Sequence, residues 1–85
     1  QHWPYARFDI PCDTPRATFE SDQFQALLQQ ATQRTQGGYL LVRPSGTEPV
    51  IRVLIESQDA GHLERWETEL KVLFMHANPL TDKAQ

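Results

Sequence analysis

The chain has 85 residues, of which 39% are hydrophobic and 22% charged, and a formal net charge of −3. These proportions are typical of one small globular domain and exclude a disordered chain. The acidic balance argues against general nucleic-acid binding, which needs a basic face, and no apolar run approaches the roughly 20 residues that span a bilayer.

The first half of the chain predicts a strand followed by a helix. Loose alternation over residues 3–10 predicts the strand, with Ala6, Phe8 and Ile10 on one side. Ser21 or Asp22 is expected to cap the helix, and Gly37-Gly38 to end it through a left-handed residue. Helical spacing predicts one buried stripe, made of Phe24, Leu27, Leu28 and Ala31.

The second half predicts two strands and a longer helix. Residues 39–43 and 50–56 alternate in polarity and are close in sequence, so an antiparallel hairpin is expected. The last helix is expected to run from a cap at Asp59 to Ala77. Its predicted apolar stripe comprises Leu63, Trp66, Leu70, Leu73, Phe74 and Ala77. Trp66 is interpreted as a core residue.

This order, strand–helix–strand–strand–helix, predicts an α+β fold in which a small antiparallel sheet has two helices packed on one face. We expect residues 1–79 to form the domain and residues 80–85 to be a tail. Because the chain starts at Gln1 instead of Met, it is expected to be a segment of a longer protein. A single cysteine, Cys12, excludes an internal disulfide and is compatible with the reducing cytoplasm.

The connection between the hairpin strands has the composition of an anion site. It reads Arg-Pro-Ser-Gly-Thr-Glu-Pro over residues 43–49, and Arg52 follows. A guanidinium offers a planar fork of donors that fits two phosphate oxygens, and the hydroxyls of Ser45 and Thr47 add further donors. We expect Gly46 to adopt a positive φ, so that successive amide N–H groups point into one concavity.

An ordinary turn is the alternative interpretation, because Pro-Ser-Gly-Thr also connects strands that bind nothing. The hairpin should bring Arg43 and Arg52 to the same end of the sheet, where two unpaired cations would repel. A bound anion would relieve this repulsion, and Glu48 and Glu56 could relieve part of it within the protein. The residue types leave both interpretations open.

Reaction chemistry is not evident elsewhere in the sequence. The three histidines have no metal-ligand spacing to one another or to Cys12, so no cofactor is expected in this chain. The connection lacks the Gly-Lys-Ser/Thr ending of a nucleotide-binding P-loop, and no set of nucleophile, base and orienting group is visible. The residues predict binding without catalysis.

The run from Val42 to Glu56 resembles the phosphate-binding loop of the α-D-phosphohexomutase superfamily, in its C-terminal, fourth domain. The version Ser-Gly-Thr-Glu-Pro flanked by two arginines is most similar to that of phosphoglucosamine mutases and occurs in some phosphomannomutases. The order of predicted elements agrees with that domain and extends the resemblance over most of the chain.

The resemblance implies a role in a larger enzyme. A phosphoserine in the first domain would exchange its phosphoryl group with a sugar phosphate through a bisphosphorylated intermediate, with Mg²⁺ bound in the second domain. The loop would hold the phosphate that is not reacting. By match to the family loop, Arg43, Ser45, Gly46 and Thr47 would bind that phosphate, with Arg52 as a second-tier contact or support.

The resemblance therefore implies two kinds of partner. One is a phosphosugar substrate, for which the similarity to phosphoglucosamine mutases indicates glucosamine phosphate. The other is the set of remaining domains of a cytoplasmic enzyme. The isolated chain is expected to be inactive, because it has no serine nucleophile loop and no Asp-rich metal site. Two alternatives remain: the C-terminal domain of a phosphomannomutase or phosphoglucomutase, and a free-standing anion-binding module.

Overall fold

The computed structural model describes residues 3–76. Within them lie three strands and three helices, in the order β1 (Tyr5–Pro11), α1 (Pro15–Glu20), α2 (Asp22–Arg34), β2 (Tyr39–Pro44), β3 (Val50–Glu56) and α3 (Ala60–His76). The strands form an antiparallel sheet in the order β1-β3-β2, so β3 is central. The predicted α+β class and the β2–β3 hairpin are confirmed.

Strand register gives the sheet two different faces. The inner face carries the apolar side chains of Ala6, Phe8, Ile10, Leu40, Val42, Ile51, Val53 and Ile55. Helices α2 and α3 pack their apolar stripes against this face, and together they make the core. Trp66, Leu70 and Phe74 of α3 are buried there, which confirms Trp66 as a core residue. The outer face is left without a covering element among the described residues.

Helix α1 was not predicted. It has a proline in its first turn, where a backbone N–H needs no partner, but none of its six residues is buried. A helix without a buried stripe shows no apolar periodicity, so α1 could not be predicted from hydrophobic pattern. The Sγ of Cys12 donates to Thr18 Oγ1 of α1 at 3.3 Å, which ties the end of β1 to this helix.

Two predicted helix caps are present. Ser21 Oγ accepts the N–H of Phe24 at 3.1 Å and so caps α2. Asp59 Oδ1 accepts the N–H groups of Gly61 at 2.8 Å and His62 at 3.3 Å before α3. The hydrogen bond from His62, then that from Gly61 and the nearby imidazole charge, hold the pKa of Asp59 below its ordinary value of 3.8.

The connection from α2 to β2 contains two glycines with different roles. Helix α2 ends at Arg34 with Thr35 as its C-cap at a φ of −109°, so the predicted helix end through a left-handed residue at Gly37-Gly38 is wrong. Gly37 has a φ of +93° and lies in the connection after the helix. Gly38 lies against the core: a Cβ built on it would meet the carbonyl oxygen of Glu56 and come within 2.6 Å of Cζ3 of Trp66. Only a residue without a side chain therefore fits at Gly38.

Some predictions fall on residues that the structure does not describe. The helix end at Ala77, the domain boundary at residue 79 and the tail at residues 80–85 lie outside the described residues. From residue 3 to residue 76, no helix has both the length and the apolar character that crossing a membrane requires.

Candidate functional site

The β2–β3 loop is closed by its own hydrogen bonds. The N–H of Ser45 donates to the carbonyl oxygen of Val50 at 3.0 Å, and the N–H of Val50 donates to that of Glu48 at 2.8 Å. Ser45 Oγ accepts the amide N–H groups of Thr47 at 3.2 Å and Glu48 at 3.0 Å. At the end of the loop, the carbonyl oxygen of Pro49 accepts the N–H of Cys12 at 2.8 Å. Backbone and hydroxyl groups thus define the loop conformation.

This conformation corrects the prediction for Gly46. Among residues 3–76 only Gly37 has a positive φ, so Gly46 does not adopt the left-handed conformation. The Ser45 hydroxyl provides the physical reason, because a turn capped by a side-chain oxygen can reverse the chain at negative φ. The amides of Thr47 and Glu48 point to that hydroxyl, so the predicted concavity of successive N–H groups is also wrong.

Gly46 nevertheless leaves space at the loop. A Cβ built on it would meet no atom within 4 Å, and its N–H has no hydrogen-bond partner in the described part of the chain. The Thr47 hydroxyl also has no partner there, and Thr47 is exposed. The apex of the loop therefore offers accessible donors to a ligand that approaches from solvent.

The two arginines lie side by side on the outer face. Arg43 of β2 pairs directly with Arg52 of β3 in the register, and Arg52 pairs on its other side with Asp9 of β1. Arg52 Nη2 is 2.8 Å from Glu48 Oε1, and its Nη1 is 3.4 Å from Asp9 Oδ2. This confirms that Glu48 compensates part of the cationic charge.

Arg43 has no such compensation. Its guanidinium forms no ion pair or hydrogen bond with any residue that the structure describes, and the residue is exposed. Glu56, the other acid proposed to compensate the arginines, lies at the opposite end of β3 and pairs with neither of them. The cation next to the loop is therefore free to bind an anion.

A shallow depression of about 410 Å³ lies on the outer face beside the loop. Its base is the sheet, and its lining includes three guanidiniums and one carboxylate. The lining residues are Arg7, Phe8, Asp9, Leu41, Arg43, Arg52, Val53 and Leu54. The volume is within the range of small-molecule sites, and the depression is open to solvent.

In the part of the chain that the structure covers, no group of three or more His, Cys, Asp or Glu residues could hold a metal ion. The carboxylates of Asp9 and Glu48 are both engaged by Arg52, and Cys12 is buried. The two carboxylates that contact Arg52 are therefore engaged, and the outer face presents cationic and neutral donors next to the loop.

Comparison with known proteins agrees with the resemblance of the loop. The family of phosphoglucomutase/phosphomannomutase C-terminal domains matches residues 11–71, which include both arginines and the loop. The chain belongs to this family. The match begins at the end of β1, so Arg7 and Asp9 precede it.

Similar proteins include several bacterial phosphoglucosamine mutases. That of Teredinibacter turnerae is 39% identical over 71 residues, covering 82% of this chain and 16% of the relative. Those of Rhizobium meliloti and Xanthomonas euvesicatoria are 50% identical over 46 residues and 48% identical over 52 residues. These matches cover 54% and 60% of this chain, and 10% and 12% of the relatives. The chain thus spans about a sixth or less of the relatives it matches.

Sequence reasoning missed Asp9 as part of this site. The alternation of β1 placed Asp9 on the face opposite Phe8 and Ile10, which was correct, but nothing local indicates which strand β1 pairs with. Its contact with Arg52 joins residues 43 positions apart. Only the long-range β1–β3 pairing brings the carboxylate to the loop.

Proposed function

We propose that this chain is the phosphate-binding C-terminal domain of a phosphohexomutase that interconverts the 6-phosphate and 1-phosphate of a hexosamine. In this role Arg43, Ser45, Gly46 and Thr47 bind the phosphate that is not reacting, and Arg52 is a second-tier contact. The relatives described above are phosphoglucosamine mutases, which supports glucosamine phosphate as the substrate.

The free guanidinium of Arg43 is the observation that carries this proposal. It lies at the end of β2 where the loop begins, and no carboxylate of the described residues neutralises it. A phosphate carries nearly two negative charges at neutral pH and accepts two parallel N–H bonds from one guanidinium. An exposed arginine beside accessible N–H and O–H donors suits that anion.

The loop supplies the remaining donors without rearrangement. The Gly46 N–H and the Thr47 hydroxyl have no partner among the described residues, and Ser45 Oγ, which accepts two amides, still has its own proton to donate. Because the loop is already fixed by hydrogen bonds and flanked by prolines, little conformational entropy is lost on binding. Each hydrogen bond to the charged phosphate contributes about 1.5–3 kcal/mol.

Such binding energy is useful to an enzyme because it acts far from the reacting atoms. Contacts to a remote phosphate can orient the sugar and promote closure of the domains around it. A loop that recognises phosphate, with no contact specific to the sugar, can serve the substrate in either orientation. We propose that Mg²⁺ and the phosphoserine belong to other domains of a cytoplasmic parent enzyme, and that this chain alone has no mutase activity.

Kinetics of the parent enzyme test the proposal. Replacing Arg43 by alanine should lower kcat/KM by roughly one to three decades, because a bidentate contact is lost. Arg65→Ala is the matched control, since Arg65 is exposed on α3 in the helical layer and should leave kcat/KM unchanged. Unchanged kinetics in a folded Arg43→Ala enzyme would refute the assignment. Turnover of glucosamine 6-phosphate by the isolated chain would refute the proposed inactivity.

A further inference from the structure

Arg43 and Arg52 are neighbours in the sheet, but their charges are not equally available. Arg52 lies between the carboxylates of Glu48 at 2.8 Å and Asp9 at 3.4 Å, while Arg43 has neither. Because Arg52 already has two oppositely charged partners at these distances, a phosphate would have to compete with them for its guanidinium. One guanidinium is therefore offered to a ligand, and the second is held by the protein.

The carboxylate of Glu48 is not needed to hold the loop. The loop is closed by hydrogen bonds of the Ser45 hydroxyl, of backbone groups of Ser45, Glu48 and Val50, and of the Pro49 carbonyl. None of these bonds uses the carboxylate, which contacts only the Arg52 guanidinium. Removing its charge should therefore change the electrostatics of the loop and leave its conformation in place.

We infer that Asp9 and Glu48 set the affinity of the loop for phosphate by engaging Arg52, so that one guanidinium instead of two faces the anion. The inference rests on the proposed function of the loop as a phosphate site. Neither acid touches the ligand, and each acts through its contact with Arg52. Asp9 takes part although it precedes the residues that the family match covers.

The size of the expected change in phosphate affinity depends on how exposed the three side chains are. The side chains of Arg52, Glu48 and Asp9 are 47%, 59% and 45% exposed, so water and salt screen their interactions. The acids should thus reduce phosphate affinity by a small factor. A weaker hold suits a site that must release the same phosphate group in every catalytic cycle.

Charge-neutral variants of the two acids test the inference. Inorganic phosphate is titrated into the chain at low ionic strength, and the amide resonances of residues 45–47 are followed. Glu48→Gln should bind phosphate about two- to fivefold more tightly than the wild type, and added salt should reduce this gain. Asp9→Asn should act in the same direction with a smaller gain, because its contact is longer.

Two controls separate charge from structure. Glu48→Asp keeps the negative charge and should give no gain. The double variant Glu48→Gln/Arg52→Gln should also give none, because the guanidinium that would be released is absent. Amide dispersion like that of the wild type checks that each variant is folded.

Opposite results would overturn the inference. Unchanged or weaker phosphate binding in Glu48→Gln would mean that the carboxylate either has no effect or positions the loop. A gain in affinity that persists in the Glu48→Gln/Arg52→Gln variant would show that Glu48 does not act through Arg52. If Arg43→Gln abolishes binding while Glu48→Gln changes nothing, the inference fails alone. If the wild-type chain binds no phosphate, the proposed function fails as well.

Discussion

One glycine precedes β2 and another lies in the loop that follows it, and the surroundings of the two differ. At the start of the strand, a methyl group on Gly38 would overlap the Glu56 carbonyl oxygen and the indole ring of Trp66. In the loop after the strand, a methyl group on Gly46 would meet no atom within 4 Å. The first glycine is required by packing inside the domain, and the second leaves space outside it.

This difference separates stability from function along one short segment. The Gly38 end is fixed by contact with the core, where any added volume must displace backbone or a buried ring. The loop end is fixed by hydrogen bonds, which leave its outer side open. We therefore expect substitutions at the first end to change folding, and substitutions at the second to change binding.

Gly38→Ala should have the largest effect on stability. The added Cβ would lie against a backbone carbonyl, which cannot move as a flexible side chain can, so the free energy of unfolding should fall by about 2–3 kcal/mol. Urea unfolding followed by tryptophan fluorescence measures it. A loss below about 0.5 kcal/mol would show that the contact between Gly38 and Trp66 is not tight.

Gly46→Ala is the matched substitution at the open end. Because Gly46 does not have a positive φ and its Cβ direction is empty, stability should stay the same or rise by up to about 1 kcal/mol. The same variant should bind phosphate more weakly, since the methyl group would occupy the side from which the ligand approaches. Unchanged phosphate affinity would argue that the ligand does not approach Gly46.

Ser45→Ala should have an intermediate effect on stability. It removes the acceptor of the Thr47 and Glu48 amides, and since water can reach both groups, the expected loss is about 0.5–1.5 kcal/mol. Ser45→Thr keeps the hydroxyl and is the control. Equal unfolding free energies for Ser45→Ala and the wild type would mean that these two hydrogen bonds do not hold the loop.

Asp59→Ala should lower stability by an amount that depends on pH. The pKa of Asp59 is lowered in the folded state, so its charge stabilises the fold above the ordinary value of 3.8 and this contribution is lost as pH falls through the lowered pKa. The Tm difference between wild type and Asp59→Ala should thus be present at pH 7 and shrink below pH 3.8. A difference that is constant from pH 7 to pH 2 would contradict the assignment.

The sequence was sufficient for those parts of the fold that depend on local pattern. Alternation in β2 and β3 and the stripe of α3 from Leu63 to Phe74 predicted both the elements and their buried sides. The capping oxygens of Ser21 and Asp59 were equally local. Helix α1 escaped prediction because its residues follow no apolar period and none of them is buried.

The site was predictable in its composition but not in its geometry. The loop sequence identified donors and two arginines, yet it did not show that the Ser45 hydroxyl would accept two amides and make a positive φ at Gly46 unnecessary. It also could not show that Arg52 would be held by Asp9, since that contact depends on the pairing of β1 with β3. Which of the two arginines is free was therefore decided by tertiary structure.

Titration of the chain with glucosamine 6-phosphate, followed by backbone amide resonances, tests whether the Arg43 loop binds the phosphate of a sugar. The wild type and Arg65→Gln should show equal affinity, with the largest shifts at residues 45–47. Arg43→Gln should bind about tenfold more weakly or worse, since a charge-assisted contact is lost. Equal affinity of Arg43→Gln and the wild type, or no shifts at residues 45–47 at millimolar ligand, would contradict the account.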